Sequence, residues 1–125
     1  MKRPSYSEIQ RKLKQAQEAI FNNSFFILKP SVIAIEALEL GILFDEINPI
    51  LIDLFSEIKP ANYAGTYPPQ RSYEDEIFQS ELFAFRWKSN KLGCMAYLKF
   101  AFKKDRLWLI SLHQDRDDPK GRQHE

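Results

Sequence analysis

Residues 83–113 read FAFRWKSNKLGCMAYLKFAFKKDRLWLISLH, and this stretch decides the fold. Apolar side chains alternate with polar or small ones along most of it, which is typical of strands that bury one face. Turn-forming residues at 89–90 and 104–106 divide the stretch into three parts. It therefore predicts a three-stranded antiparallel sheet with one apolar face and one basic face.

The register of the last two strands follows from keeping polar groups out of the core. A two-residue turn at Lys104-Asp105 would place Ser111 opposite Leu98 on the apolar face. A three-residue loop at 104–106 instead matches apolar residues with one another: Phe102 with Trp108, Phe100 with Ile110, and Leu98 with Leu112. Because a slip of one residue exchanges the two faces of a strand, the apolar pattern favours the three-residue loop. On the other face, this register pairs Tyr97 with His113 and Lys99 with Ser111.

The first strand of the stretch adds a basic residue to that second face. A short turn at Ser89-Asn90 would lay its aromatic side chains over the next strand: Phe83, Phe85 and Trp87 over Leu92, Cys94 and Ala96. Arg86 then points to the opposite side. We call this side the polar face and define it by five residues: Arg86, Tyr97, Lys99, Ser111 and His113. It is either the solvated side of an antiparallel sheet or a surface for binding or chemistry.

The charge of the chain is distributed unevenly. Its net charge is only +1, yet residues 86–106 contain seven basic residues and one acidic residue, a local charge of +6. Such an excess attracts phosphates. One cysteine cannot form an internal disulfide, and no apolar run is long enough to span a bilayer. The composition therefore predicts a soluble cytoplasmic protein without a membrane partner.

Three helical segments and a short strand at 25–28 precede the sheet. Each helix has a start or stop signal: Ser5 and Glu8 as a capping box for the first, Pro30-Ser31 and Gly41 around the second, and Asp45 as the cap of the third. Residues 59–81 form a predicted long loop, in which acidic residues 74–76 would repel a phosphate and are expected to point away from such a ligand. The fold class is thus α+β, an antiparallel sheet packed on one face by about three helices. It forms a single domain at 1–116, and the polar segment 117–125 is predicted to be disordered.

Three segments of the chain follow one another in the order and spacing of a known family. They are KRPSY at 2–6, ALELG at 37–41 before an apolar helix, and the strands YLKF at 97–100 and LISLH at 109–113. In these segments the chain resembles the MqsR family of toxins, part of the RelE-like group of mRNA interferases. The resemblance implies a RelE-like toxin architecture. It also implies an endoribonuclease of mRNA that a cognate antitoxin protein keeps silent.

The resemblance further implies an active site of four residues: a lysine, a glutamine, a tyrosine and a C-terminal lysine. The tyrosine falls on Tyr97 and the C-terminal lysine on His113. The first lysine falls on Ala64, and the glutamine falls on Ala84, or on Gln79 if the alignment is shifted. Two of the four positions therefore lack the family's residue.

Cleavage of RNA requires a proton acceptor for the ribose 2′-hydroxyl, a proton donor for the 5′-oxygen, and cations around the phosphorane. The expected catalytic residues are Tyr97, His113, Arg86 and Lys99. Histidine is the side chain most often used as general acid or base, and arginine and lysine stabilise developing phosphate charge. Further RNA contacts are expected from Arg116, Ser111, Lys103 and Tyr63. No cofactor is expected, and two distant histidines with one cysteine match no metal site of standard spacing.

A second function remains open at the level of the sequence. Because two of the implied catalytic positions are alanines, the chain is alternatively an inactive member of the same fold that binds RNA or a protein. The expected partners are mRNA and a cognate antitoxin, with the ribosome as a further candidate.

Overall fold

Three α-helices and four β-strands make up residues 2–115, the part of the chain that this computed structural model describes. The helices are α1 (Tyr6–Phe21), α2 (Pro30–Glu39) and α3 (Ile47–Glu57). The strands are β1 (Phe25–Ile27), β2 (Phe83–Ser89), β3 (Cys94–Lys103) and β4 (Arg106–Gln114). The prediction of an α+β fold with three helices is confirmed. Arg116 and the segment 117–125 lie outside the described residues.

The four strands form one sheet in the order β1-β4-β3-β2. Strands β2, β3 and β4 are antiparallel, as predicted, but β1 pairs in parallel with β4, from Phe25 opposite Leu107 to Ile27 opposite Leu109. The sheet is therefore mixed, and the prediction of an antiparallel sheet was wrong for this edge. A strand of three residues carries too little alternation to indicate its partner, and a parallel partner is separated from it by a long connection.

The hairpin between β3 and β4 has a two-residue turn, so the predicted three-residue loop was wrong. Lys104 and Asp105 both take left-handed backbone conformations, with φ of 53° and 63°. Two such residues in succession form the tight turn that the twist of antiparallel strands favours. The pairs near the turn replace the predicted pairs of Phe102 with Trp108 and Phe100 with Ile110: they are Lys103 with Arg106, Phe102 with Leu107, and Phe100 with Leu109.

A β-bulge restores the predicted register farther from the turn. The pairing shifts between Lys99 and Phe100, and Ile110 is the extra residue in β4. Beyond the bulge the pairs are those that the apolar pattern predicts: Leu98 with Leu112, Tyr97 with His113, and Lys99 with Ser111. The bulge thus allows both the tight turn and an apolar core, which a regular ladder could not combine.

The same bulge divides the sheet face that was predicted to be polar. Near the turn, Trp108 and Ile110 lie on this face and join a small apolar cluster with Leu28, Ile77, Leu82 and Ala101. On the other face, Leu107, Leu109 and Leu112 belong to the main core with the helices. The polar face is therefore confined to the half of the sheet beyond the bulge.

The turn itself offers a direct test of this geometry. Left-handed backbone is costly for lysine and aspartate, whereas Asn-Gly is the preferred pair in such turns. The double variant Lys104→Asn, Asp105→Gly should therefore raise the free energy of unfolding by about 0.5 to 1 kcal/mol. Urea denaturation measures the change. A three-residue loop at 104–106 would gain nothing from it, so an unchanged stability would contradict the two-residue turn.

Strand β2 pairs four residues farther along β3 than predicted. Its aromatic residues lie opposite core residues of β3: Trp87 opposite Ala96, Phe85 opposite Leu98, and Phe83 opposite Phe100. The connection is longer than the predicted turn because it includes Gly93, with a φ of 72°. Since the displacement is an even number of residues, every side chain keeps its predicted face. Arg86 therefore lies directly opposite Tyr97.

The helices pack on the apolar face, and their caps test the sequence signals. The Ser5 hydroxyl accepts a hydrogen bond from the Glu8 N–H at 3.1 Å, and Gly41 has a φ of 80°, so the Ser5 cap and the terminating glycine are confirmed. The Glu8 carboxylate pairs with Arg3 instead of completing the capping box. The predicted Asp45 cap was wrong. A 3-10 turn, Phe44–Glu46, precedes α3, and the Glu46 carboxylate accepts from the backbone N–H of Leu43 at 2.8 Å.

Candidate functional site

Three side chains form a continuous row across β2, β3 and β4 on the polar face. The rings of Tyr97 and His113 are stacked, with centroids 4.9 Å apart and planes 16° from parallel. The guanidinium carbon of Arg86 lies 6.0 Å from the centroid of the Tyr97 ring. The register therefore brings together three of the four predicted catalytic residues. We call them the Arg86–His113 row.

A carboxylate adjoins each end of the Arg86–His113 row. Asp115, only 4% exposed, forms an ion pair with Arg86, with 2.9 Å between Oδ2 and Nε. At the other end, Oε2 of Glu36 lies 3.9 Å from Nε2 of His113. Glu36 belongs to α2, and its other oxygen accepts from the backbone N–H of Leu112 at 3.5 Å. This contact fixes α2 beside the part of β4 that extends past β1.

The surroundings of His113 decide which ring nitrogen carries a proton. Nδ1 lies 2.7 Å from the carbonyl oxygen of Gln114. A carbonyl only accepts hydrogen bonds, so Nδ1 holds a hydrogen and Nε2 is the nitrogen that gains or loses a proton. Nε2 faces Glu36, with 3.9 Å between this nitrogen and Oε2.

The other two residues of the polar face line a cleft of about 420 Å³ beside the row. Lys99 and Ser111 lie on its sheet side, which is otherwise apolar. The remaining walls come from the start of α2 and from the loop before β2, and include Lys29, Arg71, Ser72, Tyr73 and Glu74. Residues 74–76 are expected to point away from a phosphate ligand, and the structure places Glu74 in the wall of this cleft. Its carboxylate forms an ion pair with Lys29 at 3.1 Å, which offsets its charge in the cleft.

Two other predicted RNA contacts lie apart from the row. The ammonium group of Lys103 donates to the carbonyl of Phe78 at 3.0 Å, near the hairpin turn. Tyr63 packs with Phe83 and Phe85 of the main core, and its hydroxyl donates to the carbonyl of Thr66 at 2.6 Å. Burial, with smaller contributions from nearby charges, raises the pKa of Tyr63 to about 12. Tyr63 therefore holds a structural position.

The two alanines at implied catalytic positions are neighbours. The N–H of Ala64 donates to the carbonyl of Ala84 at 2.8 Å, and Ala84 lies opposite Lys99 in the sheet. Ala84 therefore adjoins the polar face, whereas Gln79 lies in the loop before β2, where its backbone N–H donates to the carbonyl of Ser72 at 2.9 Å. Both positions carry methyl groups, which can neither donate nor accept a hydrogen bond.

A scan against protein-family models finds no match for the chain, and a search of curated proteins finds none. Within residues 2–115, no helix is both long and apolar enough to cross a membrane. The same residues contain no cluster of three or more histidine, cysteine, aspartate or glutamate side chains that could hold a metal ion. The class of site is therefore defined by its geometry, a basic and aromatic row beside a cleft.

Proposed function

We propose that this chain is an endoribonuclease, the toxin of a toxin–antitoxin pair, and that it cleaves single-stranded mRNA by acid–base catalysis. The observation that carries the proposal is the Arg86–His113 row: an arginine, a tyrosine and a histidine in contact, with Lys99 next to them. A proton-transfer group and phosphate-binding cations side by side are what cleavage through the 2′-hydroxyl requires.

Each step of the reaction has a group to perform it. Nε2 of His113 takes the proton of the ribose 2′-hydroxyl, and the 2′-oxygen attacks the phosphorus. Arg86 and Lys99 stabilise the charge of the phosphorane. The bond from phosphorus to the 5′-oxygen then breaks, and protonated His113 returns its proton from Nε2 to this oxygen. The products are a 2′,3′-cyclic phosphate and a free 5′-hydroxyl. Tyr97 positions the imidazole through the ring stack.

The alternative is an RNA-binding protein of the same fold that does not cleave. Three features favour it: His113 is only 7% exposed, Arg86 is already paired with Asp115, and Ala64 and Ala84 supply no polar group. A substrate would have to draw Arg86 from Asp115 to bind in a bidentate manner. Binding alone needs only the positive surface and exposed aromatic rings.

Incubation of the purified chain with single-stranded RNA in EDTA separates the two functions. The proposed enzyme yields 2′,3′-cyclic phosphate ends, and a 2′-deoxy nucleotide at the cleaved position abolishes that cut. Arg86→Ala should lose cleavage, whereas Lys88→Ala, an exposed cation on the same strand face, should retain it. Salt-sensitive binding without cleavage, with or without ribosomes, would instead establish the alternative.

The antitoxin part of the proposal has its own test. A toxin of this kind requires a partner that blocks its active surface, so its gene should adjoin a short gene that encodes a helix-turn-helix protein. Co-expression of that neighbour should restore growth to cells in which this chain is toxic. Growth inhibition that persists with the neighbour present would contradict the pairing.

A further inference from the structure

The cleft beside the Arg86–His113 row has the features of a ligand site. Its volume of about 420 Å³ is within the range typical of small-molecule sites. Its floor is apolar and comes from three residues: Leu28, Leu82 and Ile110. Its rim carries three cations and one acid, and Lys29 already pairs with that acid, Glu74.

Two of the cations are available to an anionic ligand. Within residues 2–115, neither Arg71 nor Lys99 lies within ion-pair distance of a carboxylate. The two side chains enter the cleft from different elements, Arg71 from the loop and Lys99 from β3. An arginine and a lysine that line one cleft, each outside ion-pair distance of a carboxylate, suit a phosphate group.

An aromatic ring stands at the edge of the same cleft. Tyr73 is 84% exposed although its neighbour Ser72 is buried. An exposed ring beside cations is the combination by which proteins bind single-stranded nucleic acid, because a base stacks on the ring while the cations hold the backbone.

The loop that carries Arg71 and Tyr73 is held in place by its backbone. The N–H of Leu82 donates to the carbonyl of Gln70 at 2.7 Å, and the N–H of Ser72 donates to the carbonyl of Ser80 at 2.9 Å. These bonds pin both ends of the segment 70–82 against each other. The cleft is therefore formed before a ligand arrives, which reduces the ordering cost of binding.

We infer that this cleft binds one nucleotide of a single-stranded RNA, its base on Tyr73 and its phosphate between Arg71 and Lys99. The inference rests on the proposed function, since it takes RNA as the ligand of the polar face. Lys99 connects the two regions: it lines the cleft, and its position is about 7 Å along β3 from Tyr97. The bound nucleotide is therefore the neighbour of the one that is cleaved.

The test measures binding without cleavage. A labelled RNA oligonucleotide with 2′-O-methyl groups lacks the nucleophile, so fluorescence anisotropy reports affinity for the full chain. Arg71→Ala and Tyr73→Ala should each weaken binding by about tenfold or more. Arg71→Ala should also reduce the dependence of log affinity on log salt by about 0.7. The matched controls, Arg11→Ala and Tyr6→Ala, remove exposed side chains of α1 and should leave the affinity unchanged.

The outcomes separate the cleft from the proposed enzyme. Weaker binding in both cleft variants upholds the cleft. If the wild type also cleaves no RNA, that second result overturns only the nuclease. Cleavage by the wild type with unchanged affinity in both cleft variants overturns the cleft alone. A wild-type chain that does not bind the oligonucleotide overturns the inference as well.

Discussion

Replacement of His113 by alanine should slow RNA cleavage by about 10²- to 10⁴-fold, the contribution typical of a general acid or base. The reason is local: with Nδ1 bonded to the Gln114 carbonyl, Nε2 is the position through which a proton is exchanged, and it faces Glu36. The rate of appearance of 2′,3′-cyclic phosphate ends, measured at saturating RNA, reports this step.

His113 is also a buried stacking partner, so the variant needs a control for folding. His113→Gln keeps a polar side chain against Tyr97 but does not transfer protons, and it should be as slow as the alanine variant. Glu36→Gln removes a carboxylate that acts through His113, so it should slow cleavage by a smaller factor. Urea denaturation shows whether each variant is folded. Wild-type rates in a folded His113→Gln protein would remove His113 from the reaction.

The sequence predicts the polar face well, because neither of the two errors in strand register moves its residues to the other side of the sheet. The hairpin turn is one residue shorter than predicted, but the extra residue Ile110 in the bulge compensates for it. The β2 connection is longer than predicted, but the displacement is even. Both corrections leave Arg86, Tyr97 and His113 on one side. The bulge cannot be recognised from the alternating pattern, because the neighbouring residues of β4 are apolar and fit either face of the sheet.

The sequence does not predict the groups that come from elsewhere in the chain. Glu36 lies within an otherwise apolar segment of α2, three residues from the buried Ile33, and this placement was the available signal for a semi-buried carboxylate. Asp115 lies beyond the last strand, where alternation has ended. The cleft depends on a loop whose backbone pairing, such as Arg71 with Glu81, has no local sequence signal. Long-range contacts of this kind are fixed only by the complete fold.

A second large effect is expected away from the site, at the junction of α3 with the β2–β3 turn. One oxygen of Glu57 accepts hydrogen bonds from the indole N–H of Trp87 at 3.0 Å and from the hydroxyl of Ser89 at 2.7 Å. Its other oxygen accepts from the backbone N–H of Lys91 at 2.9 Å. Trp87 and Ser89 are buried, so they have no access to water as a substitute partner.

Glu57→Ala should therefore lower the free energy of unfolding by about 2 to 4 kcal/mol, since it leaves buried donors without an acceptor. Asp53 provides a matched control. It lies one turn earlier on the same helix and contacts the same Lys91, but through an exposed ion pair of 3.2 Å. Asp53→Ala should lower the free energy of unfolding by less than about 1 kcal/mol. Equal losses in the two variants, measured by urea denaturation, would contradict the anchoring role of Glu57.

The pH dependence of stability provides an independent measure of this anchor. Burial alone would raise the pKa of Glu57, but the hydrogen bonds from Trp87, Ser89 and Lys91 outweigh it and hold the pKa below the ordinary value of 4.5. A lowered pKa stabilises the fold fully above the ordinary value, and this stabilisation is lost as pH falls through the folded-state pKa. A hydrogen bond from Arg3 likewise lowers the pKa of Glu81. Glu81 therefore also affects stability in this pH range, and it does so equally in the wild type and in the variant. On acidification below pH 4.5, the wild type should therefore lose stability more steeply than Glu57→Gln, which has no proton to gain. Parallel curves for the two proteins would show that the carboxylate charge contributes nothing.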